Sequence, residues 1–304
     1  MRPTFLSTLT ALVLLCGCQT RKPASLHMDQ AFENLVPSDT TFITGADVAA
    51  IRNTPVYQKW LGQLALPQLN DFTKQTGVDP RKDLSQVLSC SNGKAAVLFV
   101  RGTFNSRDLE PKLSANGARQ SAYKGRNFFG DDRWAVTFLN SSTAVAGSTP
   151  ELRAVIDRQD SKSSGISPAL RAKIDSIGAN RQVWAAVVGG LQDLNIGVPD
   201  DSNLGSAIRL VQGIDSATIG IDLRTGLDLA AEADCRTERD AKRINDAIRG
   251  LFGLGRLSTP DNQPDLLRLY DAVKVTQRQA HVQILAQVGS DLVDKFLDLW
   301  LKRK

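Results

Sequence analysis

The chain has 304 residues, of which 42% are hydrophobic, so it can bury a large core. A chain of this length is near the upper limit for one core, which predicts two domains. The 37 Lys and Arg residues exceed the 32 Asp and Glu residues only slightly and are scattered, without a basic run interleaved with aromatics. The sequence therefore predicts no nucleic-acid-binding face.

The first eighteen residues have the pattern of an export signal. Arg2 gives a positive start, and residues 5–15 are largely apolar. This run is too short for a bilayer span, which needs ~20 residues, and has the ~7–15 residues of a signal-peptide core. Residues 15–18 read Leu-Cys-Gly-Cys, with a small residue directly before a cysteine. An ordinary secretory signal cut nearby and a retained N-terminal anchor are the alternatives.

This segment resembles the signal peptide and lipobox of bacterial lipoproteins, through Leu15, Gly17 and Cys18. The cysteine at the second lipobox position departs from the pattern, in which Ala, Ser or Thr is commoner. The resemblance implies removal of residues 1–17 by cleavage between Gly17 and Cys18, and lipidation of Cys18 by fatty acyl groups. Because Gln19 and not Asp follows, it also implies the periplasmic face of the outer membrane. The only membrane contact predicted is this lipid, and several acyl chains would hold the protein firmly.

Residues 18–35 are polar and lack a steady period, which predicts a tether between the lipid and the folded body. The tether contains His27, and a lone exposed histidine is more often incidental than a ligand. Beyond the signal and Cys18, the chain contains Cys90 and Cys235. An oxidising envelope favours a disulfide between them, but we expect two separate thiols because nothing in the sequence brings the cysteines together.

The body has the pattern of one α+β unit that occurs twice, in residues 36–159 and 166–304, with a polar linker at 160–165. Each unit is predicted as β-α-β-β-α-β-β-α, with mainly antiparallel sheets packed by helices. A strand that runs into a helix at residues 41–53 recurs 142 residues later at 183–195. The alternative is one continuous sheet with coincidental spacing.

Hairpins support the repeat. Asn92 and Gly93 separate two apolar runs in the first half, and this dipeptide is a strong hairpin signal. In the second half, residues 216–223 alternate between apolar and polar side chains and are followed by a turn that contains Gly226. A helix is predicted after each hairpin, beginning near Ser106 in the first half and near Thr237 in the second.

The plan also resembles tandem-module envelope proteins of unknown function. The resemblance is carried by residues 36–40, which read Val-Pro-Ser-Asp-Thr, and by residues 47–53. It implies no activity.

Catalytic and metal-binding patterns are scarce. His281 is the one realistic candidate base, but no nucleophile motif accompanies it, so a structural role is predicted. The pairs Asp131-Asp132 and Asp200-Asp201 are typical of solvated turns. A glycosidase would need two carboxylates ~5–9.5 Å apart across a cleft. Without CxxC or Cys/His clusters, we predict no cofactor and no metal.

Two glycine-rich segments have structural interpretations. Residues 91–94 lack the earlier glycine of a phosphate loop and are predicted to form a hairpin turn. Residues 250–255 are predicted to end a helix, although their leucines and phenylalanine could contact lipid or a partner.

The sequence thus favours a lipid-anchored envelope protein with a non-catalytic binding or structural role and an envelope protein as partner. A carrier or sensor of an apolar ligand and a carboxylate-based hydrolase are the alternatives.

Overall fold

Twelve strands of the protein form one antiparallel sheet in the computed structural model, which describes residues 25–26, 28–63, 67–131, 133–159, 164–190 and 212–301. The strands are β1 (Phe42–Asp47), β2 (Leu84–Ser91), β3 (Ala96–Gly102), β4 (Arg119–Tyr123), β5 (Arg126–Gly130), β6 (Ala135–Asn140), β7 (Thr143–Gly147), β8 (Val183–Val188), β9 (Ile214–Asp222), β10 (Gly226–Cys235), β11 (Val273–Arg278) and β12 (His281–Gly289).

Helices cover both faces of this sheet. They are α1 (Gln30–Glu33), α2 (Val48–Arg52), α3 (Pro55–Lys59), α4 (Pro67–Thr76), α5 (Pro80–Asp83), α6 (Ser106–Ala115), α7 (Thr149–Arg158), α8 (Pro168–Ser176), α9 (Glu238–Leu257), α10 (Pro264–Asp271) and α11 (Ser290–Leu301). The predicted α+β class with antiparallel pairing is therefore confirmed.

The strand order is β11-β12-β10-β9-β8-β1-β2-β3-β7-β6-β5-β4. From the centre outwards, the second half follows β8-β9-β10-β12-β11 and the first half follows the corresponding β1-β2-β3-β7-β6. The first half adds the hairpin β5-β4 at its outer edge. The two predicted sheets are thus joined edge to edge, because β1 pairs with β8 and places Gly45 opposite Trp184.

Local turn and capping chemistry explains why these elements begin and end where they do. The Asn92 side chain accepts hydrogen bonds from the backbone N–H groups of Lys94 and Ala95 and closes the β2–β3 hairpin, as predicted. Thr237 caps α9 by accepting from the N–H of Asp240. Pro150 occupies the first turn of α7, where a missing N–H is tolerated.

The largest hydrophobic cluster lies on one face of the sheet, beneath α1, α7 and α8. A smaller cluster lies on the opposite face below α6, since Val100 contributes to it while its neighbour Phe99 points into the large one. A third cluster joins α9 to β9, β10 and β12.

The folded body begins earlier than residue 36. Within the predicted tether, Met28, Phe32 and Leu35 are buried in the largest cluster together with Val36. Phe32, Leu35 and Val36 have the i, i+3, i+4 spacing of one helical face. The sequence does not reveal this helical period, because α1 has only four residues and most of the residues around it are polar.

The large cluster also crosses the predicted domain boundary. Leu170 and Ile174 of α8 follow the linker, yet they are fully buried in the same cluster as Ile43 of β1. The halves at 36–159 and 166–304 therefore share one sheet and the largest hydrophobic cluster in the part of the chain that is described.

Candidate functional site

Several residues predicted from sequence lie outside the described residues. These are Gly17 and Cys18 of the lipobox, His27, Asp132, Asp200 and Asp201. Asp131 is described, and its carboxylate closes a turn by accepting from the N–H groups of Arg133 and Trp134. These backbone hydrogen bonds, that of Trp134 first, lower the pKa of Asp131, as expected for a turn residue rather than a catalytic acid.

Cys90 and Cys235 are both free and buried, so the expectation of two separate thiols is confirmed. Cys90 lies in the large cluster, and Cys235 lies in the cluster below α9. Burial raises the pKa of both thiols, which keeps them protonated and unreactive.

The aromatic and basic residues at 123–129 form a hairpin between β4 and β5, with Lys124 and Gly125 in its turn. Residues 250–255 do not end a helix, because α9 continues to Leu257. Gly255 lets the Tyr270 side chain pack closely against this helix, since a Cβ at position 255 would lie 2.7 Å from Oη of Tyr270.

Asp234 connects three strands and a helix in a polar cluster. Its carboxylate lies 2.8 Å from Nδ1 of His281, accepts from Oγ of Ser216 at 3.2 Å and pairs with Lys173 of α8. The register explains the cluster, because Asp234 lies directly opposite Ser216 on β9 and His281 on β12. His281 thus has a carboxylate partner but no nucleophile in contact with it among the described residues.

Partial burial raises the pKa of Asp234, but hydrogen bonds from Lys173 and His281 outweigh it and lower the pKa to about 2. The ionised carboxylate therefore stabilises the fold above its usual pKa near 3.8, and this contribution is lost as the pH falls from about 4 to about 2. The side chain is 44% exposed, so solvent weakens the effect.

Replacement of Asp234 by asparagine is expected to lower the free energy of unfolding by about 1 kcal/mol at pH 7. Urea unfolding at pH 7 and near pH 2 measures the loss, which should shrink at the lower pH. Asp215→Asn, at an exposed position on β9, is the matched control and should stay within about 0.5 kcal/mol of the wild type. Equal stability of Asp234→Asn and the wild type at pH 7 would show that the cluster contributes nothing.

A cleft of about 400 Å³ lies where β1 ends and β8 begins, and both halves line it. Leu26, Met28 and Val87 form apolar parts of its wall, and Arg181 and Arg224 bring positive charge. Its volume is within the range of small-molecule sites, ~300–1,000 Å³.

Trp184 lines this cleft and is only 7% exposed. Its indole covers Gly45, where a Cβ would lie 2.3 Å from Cε2 and 2.4 Å from Nε1. Among the described residues, no acceptor forms a hydrogen bond with the Nε1–H of Trp184, and this atom retains some exposure to solvent. Because Gly45 has no side chain, the indole of Trp184 can lie directly over it in the wall of the cleft.

The two arginines of the cleft use only part of their donor capacity. Nη1 of Arg181 donates to the carboxylate and the carbonyl of Asp228, both at 2.9 Å. Nε and Nη2 of Arg224 donate to Asp222, whose pKa they lower. Nη2 of Arg181 and Nη1 of Arg224 have no acceptor among the described residues.

A second candidate surface is a row of exposed leucines on α9. Leu251, Leu254 and Leu257 are 70%, 66% and 85% exposed. Gly250 and Gly253 lie beside them, and a Cβ at either would meet no atom within 4 Å. We call these five residues the leucine row. Large exposed apolar patches mark interaction sites in soluble proteins.

No group of three or more metal-ligating side chains is found within the described ranges. In the same residues, no helix combines the length and the apolar character that a membrane span requires.

No protein-family model matches the chain, and a search of curated proteins finds no match. Among solved structures, the fold is similar to that of TP0453. With crystal form III of TP0453 the TM-score is 0.54 at 9% identity, covering 88% of this chain and 97% of that chain. With crystal form IV it is 0.50 at 10% identity, covering 87% and 96%. At this level of identity, the likeness concerns the fold alone.

Proposed function

We propose that this is a lipid-anchored envelope protein with a non-catalytic binding role, attached at the periplasmic face of the outer membrane through fatty acyl groups on Cys18. The lipobox-like residues 15–18 support the anchor. The leucine row carries the binding role, because three leucines at least 66% exposed are costly to leave in water without a partner.

The partner that fits the leucine row best is an apolar helix of another envelope protein. Gly250 and Gly253 leave open space beside Leu254, so a second backbone can approach closely. Leu254 and Leu257 then supply the apolar side chains that such a contact buries.

We further propose that the halves 36–159 and 166–304 are repeats of one module. The matching strand order on either side of the β1–β8 pair supports this proposal. The additional hairpin β4–β5 would then be an insertion in the first copy.

The carboxyl groups of the described residues give a hydrolase no support. Within those residues, each carboxyl group whose pKa is shifted has it lowered, including Asp234 and Asp131. A general acid for glycoside hydrolysis needs a raised pKa.

The anchor is tested by replacing Cys18 with serine in the native host and labelling with an alkyne fatty acid. We expect the variant to lose the label and its place in the membrane fraction, because the acyl chains would supply the membrane affinity. Cys16→Ser is the matched control and should keep both. A labelled Cys18→Ser protein would overturn the proposed anchor.

The binding role is tested by placing a photo-crosslinking amino acid at position 254 and, as a control, at Lys242. Lys242 lies on the same helix, is 69% exposed and stands outside the leucine row. We expect a discrete protein adduct from position 254 that Leu257→Asp abolishes. Adducts with lipid alone, or equal adducts from both positions, would contradict a protein partner.

A further inference from the structure

We propose that an open depression beside Trp134 binds a neutral oligosaccharide. The depression has a volume of about 800 Å³ and lies between the end of α4, the turn after α6 and the connection from β5 to β6. This volume is within the range of small-molecule sites, ~300–1,000 Å³. The inference goes beyond the proposed function, because it needs neither the lipid anchor nor the leucine row.

Trp134 presents a large aromatic face to the depression. It is 53% exposed, and no aromatic ring or cation of the described residues stacks on its indole. The face of an indole is electron-rich, so it attracts groups with weak positive charge. The C–H groups on the flat side of a pyranose ring have this character, and they are also apolar enough to displace water from the indole.

Hydrogen bonds hold the backbone of Trp134 in place without a ligand. The Asp131 carboxylate accepts from the N–H groups of Arg133 and Trp134, and the N–H of Asp131 donates to the carbonyl of Trp134. Gly130 permits this close approach, because a Cβ there would lie 2.3 Å from the carbonyl oxygen of Trp134. A turn that is already ordered lowers the entropic cost of binding a ligand.

The polar side chains around the indole include both donors and acceptors. The amide of Gln75 and the guanidinium of Arg119 have no hydrogen-bond partner among the described residues. Nδ2 of Asn116 donates to the carbonyls of Gln75 and Lys112, while its Oδ1 accepts no hydrogen bond from those residues. Since a hydroxyl group both donates and accepts, the hydroxyls of a sugar match this mixed set.

The charges that line the depression favour a neutral ligand. Arg119 is the cation and Asp131 the anion among its described lining residues, and the two attract each other. An ionic ligand would therefore gain attraction from one of these groups and repulsion from the other. Leu113 and Ala118 add an apolar part to the same surface. A molecule with hydroxyls at its rim and a C–H face meets both requirements.

The depression offers a peptide few of the main-chain contacts that extended peptides use. The N–H groups of Asn116, Gly117 and Ala118 already bond to carbonyls of α6, and that of Asp131 bonds to Trp134. Arg119 is the one residue of β4 that lines the depression, so the free edge of this strand lies outside it. Recognition here depends on side chains, which favours a saccharide over a peptide.

The test is titration of the full chain carrying Cys18→Ser with tri-N-acetylchitotriose, whose equatorial substituents leave flat C–H faces. Nitrogen–proton correlation spectra follow the indole N–H resonances of the four tryptophans. We expect a saturable shift of the Trp134 resonance, while those of Trp60 and Trp184 stay in place. No shift at millimolar sugar, or an equal shift of Trp134 with trialanine, would overturn the proposal.

Replacement of Trp134 separates stacking from other causes. We expect Trp134→Ala to weaken binding of the trisaccharide about tenfold, and Trp134→Phe, which keeps an aromatic face, to weaken it only about threefold. Phe72→Ala is the matched control, since Phe72 is an aromatic residue that is 43% exposed and does not line the depression. Its affinity should equal that of the parent.

Gln75→Ala provides an independent variant if Trp134→Ala fails to fold. Gln75 is exposed near the end of α4, and alanine is a good helix former, so the fold should stay intact. We expect the loss of its amide to weaken binding about threefold, as one lost hydrogen bond predicts. Unchanged affinity in either folded alanine variant contradicts the assignment.

Discussion

Replacement of Phe32 by alanine is expected to lower the free energy of unfolding by about 3–5 kcal/mol. Phe32 is 3% exposed, and its ring centroid lies 5.8 Å from that of Phe99. The guanidinium carbon of Arg101 lies 4.8 Å from the centroid of the same ring. Truncation would leave a cavity and remove both contacts, which urea unfolding monitored by circular dichroism can measure.

The control for this experiment is Phe72→Ala in α4. Phe72 is 43% exposed, so its removal should change the unfolding free energy by less than about 1 kcal/mol. If Phe32→Ala were as stable as the wild type, residues 28–36 would be a tether and not a part of the folded body.

Gly45→Ala is expected to destabilise the protein by about 1–3 kcal/mol. The added Cβ would overlap the indole of Trp184, which lies opposite in the central β1–β8 pair. Because Trp184 is only 7% exposed, its ring must move further into the cleft or the two strands must separate. Thermal and urea unfolding of the variant measure the effect.

Two further variants test whether the clash with the Trp184 indole causes the loss of stability in Gly45→Ala. Gly253→Ala lies in a helix with open space around it and should stabilise the protein by up to about 1 kcal/mol. Trp184→Leu combined with Gly45→Ala should recover part of the loss relative to the sum of the single changes. Strict additivity would mean that the indole does not cause the destabilisation.

Local chemistry predicted the parts of the fold that depend on neighbours in sequence. The hairpins around Asn92 and Gly226 and the start of α9 after Thr237 follow from turn and capping preferences. The helix around Phe32 escaped prediction because four residues are too few to show a helical period. The sequence wrongly predicted that residues 250–255 end a helix, because glycine usually marks a helix end, whereas α9 continues to Leu257.

The candidate sites depend on contacts between distant segments, which the sequence does not encode locally. Asp234 and Lys173 are 61 residues apart, and only the strand register and the position of α8 bring them together. Trp184 covers Gly45 through a strand pair that no turn connects. The alternation along β9 and β10 identified which residues share a face, but not which strands would be neighbours.

The β1–β8 pair has a consequence for any attempt to divide the chain. Cutting it at residues 160–165 would leave β1, or β8 in the other fragment, as a bare edge with unpaired peptide groups, which invites aggregation. Since strand order is the same on both sides of the junction, a fragment could replace its lost neighbour with a second copy of itself. Such a fragment would then be recovered as a twofold-symmetric homodimer instead of a monomer.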